Sequence, residues 1–220
     1  MFTHDEVLTA DRLLTTTKAV RKRLDLTRPV DRETVMDCLR VALQAPNAGN
    51  AQRWRWLLID DPEVRAALGA IYRRALTARL APDGQELDER VSRSSIEHLA
   101  LHMHEVPIQV VPCTLDRFSP RIGLTGAASL FGSVLPAAWS FMLALHARGL
   151  GSVWTTVHLD HEEEAAALLG LPPRVTQVGL IAVGHVLGDG FTPGERKPVE
   201  EVTYWNRWPD VTEATAPGRG

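Results

Sequence analysis

The spacing of hydrophobic residues predicts several helices in this chain. In the segment after Asp31, Val35 and Leu39 lie on one face at helical spacing, and Asp31 is a typical N-cap residue. Asp61 followed by Pro62 is a second start signal, because proline is favoured in the first turn of a helix. We therefore expect one helix after each of these aspartates.

Further helices are expected towards the middle and the C-terminal part of the chain. Residues 87–105 combine apolar positions on one face with many charges, while residues 135–148 are apolar nearly all round and predict a buried helix. Asp160 and Glu163 match a capping box for a short helix that ends at Gly170.

Strand-like runs rich in β-branched residues are separated by these helices. They cover residues 53–60, 106–115 and 175–186, and a shorter run at 152–159 is either a fourth strand or an extended loop. This order predicts an α+β fold with a small central mixed sheet flanked by helices. We expect the segment 72–90 to form a surface excursion or a lid.

The composition limits the number of domains and the kinds of partner that this chain can have. Of the 220 residues, 45% are hydrophobic and 23% are charged, which is enough for one domain spanning residues 1–220. The ends, residues 1–10 and 212–220, are expected to be flexible or arm-like. The formal net charge of −3 gives no basic footprint, so no nucleic-acid partner is expected.

The pattern also predicts a cytoplasmic protein that does not enter a membrane. The N-terminus carries early acidic residues and no apolar signal-peptide core. The longest apolar run, 134–145, is shorter than the roughly 20 residues that cross a bilayer. Cys38 and Cys113 lie in apolar patterns and are expected to be buried, reduced thiols.

Three polar clusters could carry chemistry. Two are basic and come from opposite ends of the chain, TTTKAVRKR at 15–23 and GERKP at 194–198. A terminal phosphate binds best to arginine and backbone N–H groups, so both clusters could meet around one phosphate; the first could equally be a solvated turn. The third, APNAGNAQRW at 45–54, is small and amide-rich, which permits close backbone approach to a flat ligand.

Other signals are weaker. The histidine pairs His102/His104 and His158/His161 lack a fitting carboxylate at metal-ligand spacing, so no metal site is expected. The Gly-rich stretch 123–133 lacks a Walker lysine and is expected to be a flexible loop into the buried helix or part of an active-site rim.

Four blocks together resemble the FMN-dependent nitroreductase family. They are KAVRKR, APNAGNAQRWRW, GLGSVWTT, and VGLIAVGHV followed by ERKPVEEVTYWNRW. They stand in the family's order and cover the chain nearly end to end, apart from its middle. The resemblance implies a nitroreductase-type fold, an intertwined homodimer with FMN at the subunit interface, and NADH or NADPH as electron donor.

The resemblance also implies cofactor-binding roles for residues in all four blocks. The first block would contact the phosphate, ribityl chain or pyrimidine edge, and the second would line the pocket of the partner subunit. The third would lie beside flavin N5, and the last would bind the phosphate. The residues concerned are Lys18, Ala19, Arg21, Arg23, Pro46, Asn47, Ala48, Asn50, Thr155, Thr156 and Arg196.

Three positions depart from the family pattern. Ala19 stands where serine is usual, and Thr17 stands where a basic residue is common. Some phosphate binding is therefore expected to move to Lys22 or Arg23. Asn47 also replaces a usual serine but keeps a hydrogen-bonding side chain.

The function implied by the resemblance is hydride transfer from a nicotinamide to flavin N5 and on to flat small-molecule acceptors, such as nitroaromatics or quinones. The cofactor supplies this chemistry, so no catalytic side chain is predicted. Two alternatives stay open. One is a flavin-fragmenting or dehalogenating enzyme on the same fold, and the other is a flavin-binding storage protein with little reductase activity.

Overall fold

A computed structural model describes residues 1–80, 87 and 94–208 of the chain. The helices of this part are α1 (His4–Thr16), α2 (Arg32–Ala42), α3 (Pro62–Leu80), α4 (Ser95–His102), α5 (Gly123–Ala147) and α6 (Glu162–Leu168). The strands are β1 (Leu24–Asp25), β2 (Trp54–Ile59), β3 (Ile108–Thr114), β4 (Leu150–Thr155), β5 (Thr176–Gln177) and β6 (Leu180–Val186). The predicted α+β class is confirmed.

The six strands form one sheet in the order β1-β6-β3-β2, with β4 paired to β6 and β5 paired to β3. The predicted mixed sheet is wrong, because all the strand pairs are antiparallel. The parallel contact in the described chain is a single bridge between Ala19 and Ser152. Every residue of β3 is buried, as expected for a central strand.

The three predicted strand runs are confirmed as β2, β3 and the β5–β6 pair, which is interrupted at Val178 and Gly179. The run at 152–159 splits instead. Its first half belongs to β4, and a 3₁₀ turn follows over Val157–His161.

Local start signals are confirmed for two helices. The Asp31 carboxylate accepts a hydrogen bond of 2.8 Å from the backbone N–H of Thr34, which caps α2. Asp61 accepts from the backbone N–H of Val64 in the same way, and Pro62 is the first residue of α3. Each cap satisfies a donor that the first helical turn leaves without a partner.

The predicted capping box of α6 is wrong. The N-cap residue is His161, with no side-chain cap. The Asp160 carboxylate instead accepts two hydrogen bonds of 2.5 Å from Arg79 on α3. A tertiary ion pair has therefore replaced the local cap. The end of the helix is as predicted, since Gly170 adopts a left-handed φ of 64°.

Helix α5 is longer than the apolar pattern predicted. It begins at Gly123, so the Gly-rich stretch 123–133 is its first half and not a flexible loop. By length and composition alone it could cross a membrane, which corrects the expectation from the shorter run 134–145. Its Val134 and Phe141 are, however, buried in the core of this chain.

The remaining predicted segments are only partly described. Helix α4 covers the second half of the predicted helix 87–105, and its Ser94 N-cap forms a capping box with Glu97. Of the predicted excursion 72–90, the first part continues α3 to Leu80. Residues 81–86, 88–93 and 209–220 lie outside the described part.

Helix α1 was not predicted from the pattern. Thr3 and Glu6 form a capping box at its start, and none of its residues is buried in this chain. Both cysteines are buried free thiols, as expected. Burial raises the pKa of Cys113 to about 12.

Candidate active site

The two basic ends of the chain meet at one cavity of about 710 Å³. Lys18 from the N-terminal cluster and Arg196 from the C-terminal cluster both line it. We call it the basic cavity. Its described lining residues are Thr17, Lys18, Ala19, Leu135, Trp139, Met142, Trp154, Gly194 and Arg196.

Backbone pairing places Lys18 and Ala19 beside β4. The N–H of Val20 donates to the carbonyl of Ser152 at 2.9 Å, and Ala19 bridges to the same strand. Val20 is buried, so the segment is fixed by both a hydrogen bond and the core. The side chain of Trp154, two residues along β4, lines the same cavity as Lys18.

Arg23 does not line the basic cavity but fixes the segment that leads to it. Its Nε donates to the carbonyl of Leu187 at 2.8 Å, and its guanidinium also contacts the carbonyl of Asp189. The same guanidinium lies 4.4 Å from the ring centre of Phe191. These contacts hold the chain after β6, which then runs to Arg196.

A glycine makes room for the Arg196 side chain. A Cβ built on Gly194 would lie 2.6 Å from Nη1 of Arg196, which is closer than real Cβ atoms approach other atoms. The same Nη1 donates to the carbonyl of Glu195 at 2.7 Å. The guanidinium thus folds back over Gly194 at the cavity edge.

The apolar walls of the cavity were not predicted from the sequence. Leu135, Trp139 and Met142 come from α5, and Trp154 comes from β4. Leu135 and Trp139 are 42% and 46% exposed, which is unusual for large apolar residues on a core helix. In the sequence, Leu135 and Trp139 stand four positions apart in a segment that is apolar nearly all round. This excess of large apolar residues on one more helix face than the core needs could have indicated the cavity wall.

Tyr72 interacts with both Thr155 and Arg21. The Thr155 hydroxyl donates to the hydroxyl oxygen of Tyr72 at 3.3 Å. Burial raises the pKa of Tyr72, while its bond with Thr155 and the positive charge of Arg21 act in the opposite direction. Tyr72 is buried, whereas Thr155 and Arg21 are partly exposed. Thr156, which follows β4, is exposed.

The amide-rich loop 46–52 holds three residues in the left-handed backbone region. These are Gly49, Asn50 and Gln52, with φ of 57°, 51° and 49°. Such a conformation is rare for glutamine, and backbone strain of this kind clusters at functional sites. The Asn47 side chain stabilises the loop by accepting a hydrogen bond of 2.9 Å from the N–H of Gln52.

Within one chain this loop does not reach the basic cavity. Asn47 and Ala48 line a separate cavity of about 340 Å³, together with the first half of α5 and Arg53. We call it the loop cavity. The backbone N–H of Ala48 donates to the Ser133 hydroxyl at 3.0 Å, which ties the loop to α5. Pro46 and Asn50 are exposed.

A buried histidine lies in the 3₁₀ turn that follows β4. His158 is fully buried, and neither ring nitrogen has a hydrogen-bond partner among the described residues. Burial lowers its pKa to about 4, although Gln177 and the charge of Glu162 act in the opposite direction. No group of three or more histidine, cysteine or acidic residues within the described residues could bind a metal ion.

Comparison with known proteins assigns the fold to a family. The model of the Nitroreductase family matches residues 14–185. The chain belongs to the nitroreductase family. This nitroreductase-family chain therefore has the fold of flavoprotein oxidoreductases, as the sequence blocks predicted.

Individual relatives carry different activities. A 5,6-dimethylbenzimidazole synthase of Rhodospirillum rubrum is 31% identical over 178 residues, covering 79% of this chain and 78% of that protein. An NADH dehydrogenase of Thermus thermophilus is 30% identical over 192 residues, covering 80% of this chain and 87% of that protein. The crystal structure of an iodotyrosine deiodinase bound to FMN and 3-iodo-L-tyrosine matches with a TM-score of 0.69. It is 24% identical, covering 90% of this chain and 99% of that one.

Proposed function

We propose that this protein is an FMN-dependent oxidoreductase that uses NADH or NADPH to reduce flat acceptors such as nitroaromatics or quinones. It acts in the cytoplasm as a homodimer. One observation supports this most strongly. Basic residues from both ends of the chain, Lys18 and Arg196, line one cavity that also has large aromatic walls.

The cavity fits the chemistry of FMN. Its volume of about 710 Å³ lies within the range of cofactor sites, roughly 300–1,000 Å³. Lys18 and Arg196 supply two cations for a phosphate, and arginine can bind phosphate oxygens with two parallel hydrogen bonds. Trp139 and Trp154 supply apolar surface for a flat ring.

When bound, FMN would supply hydride acceptance and donation at its ring. The residues of the chain would bind and orient it. Lys18 and Arg196 would hold the phosphate end, and the α5 and β4 side chains would exclude water from the ring. Arg21, whose charge also acts on Tyr72, is the cation to which we assign the role of favouring an anionic reduced ring.

The part of the lining that one chain supplies is compatible with a reductase, and the partner protomer would complete it. Among the described lining residues there is no carboxylate and no histidine, and the titratable ones are Lys18 and Arg196. Breaking ring bonds requires several proton transfers, which enzymes usually assign to such groups. Hydride transfer needs none of them. The similarity to a 5,6-dimethylbenzimidazole synthase keeps the fragmenting reaction as the second candidate.

The position of the loop cavity supports the homodimer that the family resemblance implies. Asn47 and Ala48 line that cavity and not the basic cavity of their own chain. In a homodimer the loop 46–52 of one protomer would complete the basic cavity of its partner. The exposed Leu135 and Trp139 of α5 would then be covered.

The phosphate assignment is tested by Arg196→Ala and Lys18→Ala. Hydrogen bonds to charged groups contribute about 1.5–3 kcal/mol, so each change should raise the Kd for FMN about tenfold to a hundredfold. Arg40→Ala is the matched control, because Arg40 lies on the exposed face of α2 and pairs with Glu33 and Asp37. Fluorescence titration of the apoprotein with FMN measures the three affinities. FMN binding of parental strength in both cavity variants would refute the assignment.

The reaction is tested by anaerobic stopped-flow mixing of the FMN-loaded protein with NADH and with NADPH. Rapid bleaching of the flavin absorbance, followed by its return on adding a quinone, is the result expected of a reductase. A storage protein would stay yellow. Turnover of the flavin itself, or halide release from a halogenated phenol, would indicate one of the other activities.

A further inference from the structure

The indole of Trp154 is seated against a glycine on the neighbouring strand segment. Gly179 lies between β5 and β6 and is buried. A Cβ built on it would lie 2.4 Å from Cζ2 and 2.7 Å from Cε2 of Trp154. Both distances are far shorter than any real contact of a Cβ, so the indole occupies the space that a side chain at position 179 would need.

The backbone on both sides of this contact is fixed by the sheet. Trp154 pairs with Ile181, and Thr155 pairs with Leu180, the residue directly after Gly179. Leu180 and Ile181 are fully buried in the core. Since neither backbone can move freely and an indole is rigid, a methyl group at position 179 must displace the ring itself.

A displaced ring can move into the basic cavity. Trp154 is half-buried, packs against the core and also lines this cavity. The contact with Gly179 therefore sets how far the indole projects into the cavity.

We propose that Trp154 is a specificity-determining residue of the basic cavity and that Gly179 is the positioning residue that holds its indole back. This inference rests on the proposed function, because it assigns the wall beside which the FMN ring and its acceptor would lie. The width left by Trp154 restricts the site to thin, planar acceptors. A smaller side chain at position 154 admits bulkier, multi-ring acceptors.

The test uses four variants of this chain: Gly179→Ala, Trp154→Phe, the double variant of both, and Gly190→Ala. A phenyl ring lacks Cζ2 and Cη2, indole atoms that lie against Gly179, so it can move back into that space and away from the cavity. Gly190 is the control because it is exposed and a Cβ there would meet no atom within 4 Å. Kd values for FMN come from fluorescence titration, and rates come from a one-ring and a three-ring quinone as acceptors.

We expect Gly179→Ala to raise the Kd for FMN at least tenfold and the double variant to restore it to within threefold of Trp154→Phe. We expect Trp154→Phe alone to raise the rate ratio of the three-ring to the one-ring quinone at least fivefold. The control should match the parent in both measurements. Parental FMN binding in Gly179→Ala, or a defect that Trp154→Phe does not rescue, would overturn the inference.

The role of Trp154 and Gly179 and the proposed reductase function can be refuted separately. If Gly179→Ala does not fold, the acceptor ratio of Trp154→Phe decides, and an unchanged ratio refutes the inference. If the parent binds FMN but NADH and NADPH do not reduce it, the proposed reductase function is refuted. In that case the FMN affinities of the four variants still decide the role of Trp154 and Gly179.

Discussion

Protonation of His158 should make the stability of this protein depend on pH in a defined window. The ring is fully buried, none of the residues that the structure describes forms a hydrogen bond with it, and burial lowers its pKa from 6.5 to about 4. The folded state therefore favours the neutral ring. As the pH falls below 6.5, the unfolded chain binds a proton that the folded chain does not, so stability is lost until about pH 4.

The magnitude follows from the two pKa values. A tenfold difference in proton affinity corresponds to about 1.4 kcal/mol, so the full loss attributable to His158 is about 3 kcal/mol. About 2 kcal/mol of it should appear between pH 7 and pH 5. The neighbouring charge of Glu162 attracts the protonated ring, and it is itself paired with Arg117.

The assay compares urea unfolding of the parent and of His158→Phe at pH 7 and pH 5. Phenylalanine keeps a ring of similar size without a titrating group. Between pH 7 and pH 5, we expect the free energy of unfolding to fall about 2 kcal/mol further in the parent than in the variant. All other titratable groups are the same in the two proteins, so their contributions cancel in this comparison. Equal pH dependence of the two proteins would refute the reasoning, because the loss would then arise elsewhere.

Two further predictions concern the helix cap and the thiols. Asp31→Ala should lower the free energy of unfolding by about 1 kcal/mol in urea titrations, because the Thr34 N–H loses its acceptor; a loss as small as that from Arg40→Ala would contradict the capping role. Cys113 should react with a thiol reagent at pH 8 only after unfolding, because burial raises its pKa to about 12; rapid reaction of the native protein, with Cys38→Ser as background, would contradict this.

Much of the fold was predictable because its signals are local. Asp31 and the Asp61-Pro62 pair fix helix starts through bonds to residues two or three positions away, and β-branched runs mark the buried strands. The error at Asp160 has a different origin. Its carboxylate accepts two hydrogen bonds from Arg79 of α3, a tertiary contact that the local sequence pattern does not contain.

The site was predictable only in part. The basic clusters were visible in the sequence, and Lys18 and Arg196 do line one cavity. Arg23 belongs to the same cluster as Lys18, but its guanidinium contacts Leu187 and Phe191 instead. The direction in which a side chain leaves an irregular segment depends on tertiary contacts, so residue type alone could not separate these cations. For the same reason, the sequence did not identify Trp154 as a cavity residue, because the position of its indole depends on Gly179 on the neighbouring strand segment.

The joint use of both chain ends has a consequence for biosynthesis. Lys18 and Arg196 lie far apart in the sequence, so a ribosome makes Lys18 long before Arg196. The two cations line one cavity only after the chain between them has folded. If the proposed FMN site is correct, the apoprotein must therefore fold before both cations can bind the phosphate.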